Sequence, residues 1–232
     1  MRHGRVSHAG VFVALLLALG AGGGARAQEA KSLLAEPEGS SSAGAQRAGG
    51  AFGMEKAVNE FGFWGGGSLS APTLIGKTGG TRFGLLAFRY ARVLARGDSL
   101  ALKYTVDAVP LASLSFPGVE PGADGFRRVR RTITGAGLSP VGFQVNFRRR
   151  ERVQPFAQGA GGFVYFGERV PDERGAQFNF TADFGGGVQW KTGARRAWTV
   201  GYRYHHVSNG YRADVNPGFD SNLFYVGFSI FR

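Results

Sequence analysis

The stretch Phe178–Trp190, FNFTADFGGGVQW, puts Phe178, Phe180, Ala182, Phe184, Val188 and Trp190 on one parity and Asn179, Thr181, Asp183 and Gln189 on the other. Successive side chains point to opposite faces only in a β-strand, so this segment has one apolar face and one polar face. The pattern recurs. Leu100, Leu102, Tyr104, Val106 and Ala108 alternate with Lys103, Thr105 and Asp107, and Val141, Phe143, Val145 and Phe147 alternate with Gln144 and Asn146. Further on, Trp198, Val200, Tyr202 and Tyr204 alternate with Thr199, Gly201, Arg203 and His205, and the last segment sets Phe224, Val226, Phe228 and Ile230 on one side. Segments near Phe61, Phe88 and Phe163 read as strands by composition, with less regular parity. Turn residues bound every segment, giving about eight strands. The 39 glycines support this, because glycine weakens a helix interior by about 1 kcal/mol each.

Alternation does not say which face is inside. The N-terminus begins to decide: Arg2 and Arg5 precede the apolar run VFVALLLALGAGGGA, and Ala25-Arg26-Ala27 has the small-x-small form of a cleavage site. The run is shorter than the roughly 18 to 20 residues of a membrane helix. Residues 1–27 are therefore read as a secretory signal peptide, 28–50 as a flexible segment rich in Pro, Gly and Ser, and 51–232 as one barrel domain. An exported chain with no cysteine relies on strand pairing and burial rather than disulfides. Its net charge of +12 becomes +9 without Arg2, Arg5 and Arg26. Outside the cell that basicity suits anionic lipopolysaccharide rather than nucleic acid.

Three features place the apolar face outward. The polar parity carries Lys103, Asp107, Asp183 and Arg203, which a membrane barrel pairs in its lumen. Trp190 and Trp198 stand at segment ends, where an interfacial aromatic belt lies. The links ARGDS, RRRER and KTGARR are short, whereas those after about Ser70, Ser113, Gly167 and Val207 are longer, as short periplasmic turns and long outer loops require. A bilayer accepts such strands only when every backbone group is paired, so the fold class is all-β: an eight-stranded antiparallel outer-membrane β-barrel.

The stretch YRYHHVSNG, 202–210, holds the chemistry. Parity sends His205 to the lumen with Arg203 and His206 outward with Tyr202 and Tyr204; Ser208 keeps the outward parity, about 7 Å from His206 along the strand. Extrapolating the outward set of the last strand back from Phe224 reaches Asn222 and Asp220. A serine, a histidine and an aspartate then share one outward face at the loop end of adjacent strands, the set needed for acyl transfer: nucleophile, general base and tautomer-fixing carboxylate. An outward face suits an ester carried by a lipid.

HVSNGYRADVNPGFDSNLFYVGFSIF resembles the C-terminal signature of the outer-membrane lipid A 3-O-deacylase family (PagL type, acyloxyacyl hydrolase-like), and YTVDAVPL and GAGLSPVGFQVNF are similar to other stretches of it. The resemblance runs from about Phe61 onward. It implies a carboxylic ester hydrolase that removes the 3-O-linked acyl chain of lipid A, with no cofactor and no metal. His206 matches the base, Ser208 the nucleophile and Asn209 an oxyanion residue. Asp220 stands where the family's founding members have glutamate, so a return to glutamate is expected to be tolerated. The sequence leaves a homodimer open. The alternatives are a structural or adhesive barrel without activity and a small pore; the pore is disfavoured because eight-stranded barrels are filled by side chains. No zinc-ligand spacing and no phosphate-cradling loop competes.

Overall fold

In a computed structural model, which describes residues 57–68, 70–122 and 125–232, eight antiparallel strands close into a barrel in sequence order. They are β1 (Asn59–Ser68), β2 (Arg82–Arg96), β3 (Leu100–Gly122), β4 (Gly125–Phe147), β5 (Val153–Val170), β6 (Ala176–Gly193), β7 (Arg196–Ser208) and β8 (Phe219–Phe231). Closure is made by β1 on β8, from Glu60↔Phe231 to Gly67↔Phe224. The expected leader and flexible segment lie outside the described residues.

The alternation read from the sequence is the alternation of the wall. Phe180, Phe184, Val188 and Trp190 of β6 are exposed outward, as are Val141 and Phe143 of β4, Trp198 and Val200 of β7, and Phe224, Val226 and Ile230 of β8. Lys103, Asp107, Asp183, Gln189, Arg203, Gln144 and Asn146 are buried within. Trp190 pairs directly with Trp198 across β6 and β7, and Arg152 lies over the Trp190 ring at 5.3 Å, which marks one rim near the short turns.

The less regular strands supply the missing lumenal partners. Glu60 of β1 meets Lys103 at 2.7 Å, and Arg89 of β2 meets Asp107 at 2.6 Å. Arg203 bridges to Asp183 at 3.2 Å and lies over the Trp64 ring at 4.2 Å and the Tyr225 ring at 5.0 Å. Buried charge is tolerated because each of these ions has a partner of opposite charge, and the cations Arg89, Lys103 and Arg203 also lie over aromatic rings. Toward the opposite rim the lumen turns apolar: Phe83, Leu114, Phe116, Ile133, Phe166, Val207, Phe219 and Leu223 form one buried cluster. This interior is packed with side chains rather than open as a channel.

The long outer links differ from expectation in two places. The chain after Ser113 and after Gly167 does not form irregular loops. Instead β3 and β4 stay paired from Ser113↔Thr134 out to Gly122↔Gly125, and β5 runs to Val170 before turning into β6. Continued pairing satisfies the backbone, and it carries Leu114, Phe116, Ile133 and Phe166 inward to cap the lumen. Between Ser68 and Arg82, and between Ser208 and Phe219, the chain leaves the ladder; both links bear on the site described below.

An apolar belt facing hydrocarbon gives a direct test. Phe224→Arg, on the outward face of β8 and four residues in from the Phe228–Trp198 level of the rim, is expected to destabilise the barrel by about 2–4 kcal/mol. Urea titration of folding into lipid vesicles would measure it; an unchanged midpoint would mean that this face does not meet lipid.

Candidate active site

β7 and β8 are antiparallel neighbours in a register that sets His206 directly opposite Asp220. Both residues lie on the outward parity. His206 Nδ1 and Asp220 Oδ1 are 2.7 Å apart, so the shorter acidic side chain does reach the imidazole. A carboxylate at that distance places the proton on Nδ1 and leaves the Nε2 lone pair as the basic site of the ring.

Ser208, two residues along the same face, is half-buried at the end of β7. It borders the same small space as the imidazole. A Cβ built on Gly218 would stand 3.2 Å from His206 Cε1 and 3.4 Å from Ser208 Cβ, and Gly218 itself has φ +58°, so a side chain there would be crowded against both residues and strained in its backbone. The absence of that side chain leaves the gap between serine and histidine open.

Asn209 is placed differently from an exposed oxyanion donor. Its side chain is buried, its Nδ2 donates to the Val215 carbonyl at 2.7 Å, and its backbone N–H donates to Asn216 Oδ1 at 2.9 Å. The backbone N–H and one of the two side-chain N–H groups are thus engaged in shaping the β7–β8 link. Asn216 was not singled out by the sequence; its amide is what ties the link to the residue after the serine. A lone asparagine in a polar loop carries no periodic signal that would have marked it.

Asp220 is outward by parity yet has no exposed surface. The cover comes from the β1–β2 link: the backbone N–H groups of Ile75 and Gly76 each donate to Asp220 Oδ2 at 2.9 Å. Tyr204, also outward by parity and also buried, has its hydroxyl beside Asp220 and the Ile75 backbone, with its ring 5.1 Å from that of Phe184. His205 faces the lumen as parity requires. It stacks on Phe83 at 5.2 Å, its Nδ1 is 3.7 Å from Asp183, and its buried Nε2 has no hydrogen-bond partner among the described residues. Two adjacent histidines therefore stand in separate surroundings, one in the packed lumen and one on the outer wall. Among the described residues no group of three or more His, Cys, Asp and Glu could hold a metal ion.

The family model for lipid A 3-O-deacylase (PagL) matches residues 101–229, a span that includes His206, Ser208, Asn209 and Asp220. The chain belongs to the lipid A 3-O-deacylase (PagL) family. No curated protein matches it closely enough to count as a relative. Among solved structures, the crystal structure of the outer membrane enzyme PagL is 17% identical, with 74% of this chain and 98% of that chain covered and a TM-score of 0.45. Neisserial surface protein A is 11% identical, with 74% and 96% covered and a TM-score of 0.43. AlkL, whose structure was determined by solid-state NMR in DMPC bilayers, is 14% identical, with 86% and 97% covered and a TM-score of 0.37.

The packing around Asp220 argues against one expectation, that glutamate is tolerated there. With both carboxylate oxygens bonded and no exposed surface, a glutamate in this chain would press its extra methylene against the Ile75–Gly76 cover. Asp220→Glu is expected to dislodge the Ile75–Gly76 cover at a cost of about 1–3 kcal/mol, the usual range for overpacking. Trypsin cleavage at exposed Lys77 in the detergent-solubilised barrel reports it: faster cutting than in the parent is expected, and an equal rate would show that the site accommodates glutamate.

Proposed function

We propose that this protein is an outer-membrane serine esterase that removes the 3-O-linked acyl chain of lipid A, after export by its N-terminal leader. The observation that carries the reading is the 2.7 Å contact of His206 with Asp220 on the outer wall, with Ser208 bordering the same space. Membership of the deacylase family supplies the substrate class. The outward position supplies a reason for it: an ester within a lipid reaches this face without leaving the membrane.

In the reaction, Ser208 Oγ attacks the ester carbonyl carbon while His206 Nε2 takes the hydroxyl proton. Asp220 holds the Nδ1–H tautomer and stabilises the imidazolium that forms. Collapse of the tetrahedral intermediate breaks the bond to the sugar oxygen, which leaves with the proton from His206. Water, deprotonated by the same Nε2, then attacks the acyl-serine and releases the fatty acid, returning Ser208 to its starting state. Each step uses one base and one nucleophile, and none requires a group beyond this chain and water.

Lipid A incubated with the purified barrel and analysed by mass spectrometry should lose one ester-linked acyl chain. Ser208→Ala and His206→Asn should each abolish the loss while leaving the heat-modifiable mobility of a folded barrel intact. His205→Asn should instead lower stability, by about 0.5–1.5 kcal/mol for the lost ring stacking, and leave turnover largely in place. Unchanged lipid A with the folded parent would make the protein a barrel without this activity. Equal loss of activity at both histidines would remove the assignment of the base.

Asp220→Asn tests the third member separately. An amide in place of the carboxylate favours the wrong imidazole tautomer, and the corresponding change in a serine protease lowers kcat by about 10⁴. A comparable drop is expected here. Deacylation at the parental rate would leave Asp220 as a structural residue only.

A further inference from the structure

The β1–β2 link is laid along the start of β8. Four successive backbone N–H groups of the link point onto residues 217–220: Ile75 and Gly76 to Asp220 Oδ2, Lys77 to the Pro217 carbonyl at 2.7 Å, and Thr78 to the Gly218 carbonyl at 3.1 Å. The approach is as close as backbone can make it. A Cβ on Gly76 would stand 2.6 Å from Phe219 Cα and 2.8 Å from the Phe219 backbone N and C, so only glycine brings these amides to the carboxylate. This link lies outside residues 101–229, the span matched by the family model.

An aspartate has two rotatable bonds, and on an open outer wall its carboxylate would turn toward water or the headgroups. Two amides on Oδ2 fix the carboxylate plane and leave Oδ1 facing Nδ1. We propose that the Ile75–Gly76 amide pair is a positioning element of the catalytic site, which clamps Asp220 and thereby holds the imidazole of His206 in its working tautomer and orientation. The inference rests on the esterase reading for its catalytic consequence, while the clamp itself is a structural property of the chain.

Gly76→Ala forces the link away from Phe219 and withdraws the clamp. Gly79→Ala is the control within the same link, because its Cβ would meet only Thr73 Cγ2, at 4.0 Å. Two readouts are needed. In the ¹⁵N-histidine-labelled, full-length barrel in detergent, the Nδ1–H proton of His206 bonded to a carboxylate should give a low-field NMR resonance, assigned by its loss in His206→Asn. Gly76→Ala should abolish or shift that resonance and lower kcat on lipid A by about 10²-fold with KM little changed, as expected for displacement of a catalytic group by about 1 Å. Gly79→Ala should leave both unchanged.

A Gly76→Ala barrel with the parental resonance and parental kcat overturns the proposal. So does an equal loss in Gly79→Ala, which would assign the effect to the integrity of the link as a whole. If Gly76→Ala does not fold, Ile75→Pro replaces one of the two N–H donors with a ring methylene facing Asp220 Oδ2 and so withdraws the clamp from the other residue, and the same two outcomes decide. Should the parent fail to deacylate, the resonance still separates the two ideas: its loss in Gly76→Ala upholds the clamp and removes only the esterase reading.

Discussion

The closed ladder is the constraint from which the rest of this structure follows. In hydrocarbon an unpaired backbone N–H or C=O costs several kcal/mol, so a sheet of eight strands must leave no edge. Pairing of β1 with β8 removes it. Once the ladder closes, side-chain parity is fixed between bulges: it holds through β7 and β8, whereas the inward set of β3 passes from Lys103, Thr105 and Asp107 to Ala112, Leu114 and Phe116 across the register shift between Val109 and Ala112. Val226 cannot be outward without Tyr225 being inward, and a one-residue slip of β8 would exchange its aromatic belt for serine and glycine. The pairing of His206 with Asp220 is inherited from the same register and needs no separate device to bring them together.

A small closed barrel has to fill its lumen, and the filling accounts for residues that the wall does not. Arg203 occupies the centre between Trp64 and Tyr225, and Gly201 leaves room for the second of these: a Cβ there would stand 2.5 Å from Tyr225 Cζ. Glu60, Arg89 and Gln189 complete a network in which Glu60, Arg89, Lys103, Asp107, Asp183 and Arg203 each have an opposite charge against them. The desolvation of such a network is large, and pairing recovers it only when no member is left over. The lumen therefore fixes which residues can change together, whereas the outward face is constrained mainly to stay apolar.

How much of this was legible in the sequence depends on whether a feature leaves a periodic trace. Parity in residues 100–108, 141–147, 178–190, 198–205 and 224–230 is written in side chains, and so are the opposite faces of His205 and His206. Glu60 and Arg89 were missed as ion-pair partners because Gly62, Gly65, Gly66, Gly67 and Gly84 interrupt the alternation of β1 and β2. The paired extension of β3 and β4 reads as loop in the sequence because Arg127, Arg128, Arg130 and Arg131 mask its strand pattern. The cover over Asp220 had no signal at all. Its donors are main-chain amides, which every non-proline residue carries, and only the folded path of the link tells which of them are used.

That cover bears on why a carboxylate can stand on the lipid side of a barrel. A charged side chain taken from water into a low-dielectric surrounding costs several kcal/mol even after relaxation, and Asp220 has no exposed surface. Hydrogen bonds to a charged group return about 1.5–3 kcal/mol each. Asp220 has three, from His206, Ile75 and Gly76, so their sum is of the same order as the penalty. With His206 as its only partner the carboxylate would fall short, and the group would protonate or swing out to solvent. The imidazole alone returns less than the three bonds together. The two amides make up the difference, and because they lie on a link rather than in the ladder, the site depends on a part of the chain that the register of the barrel does not itself secure.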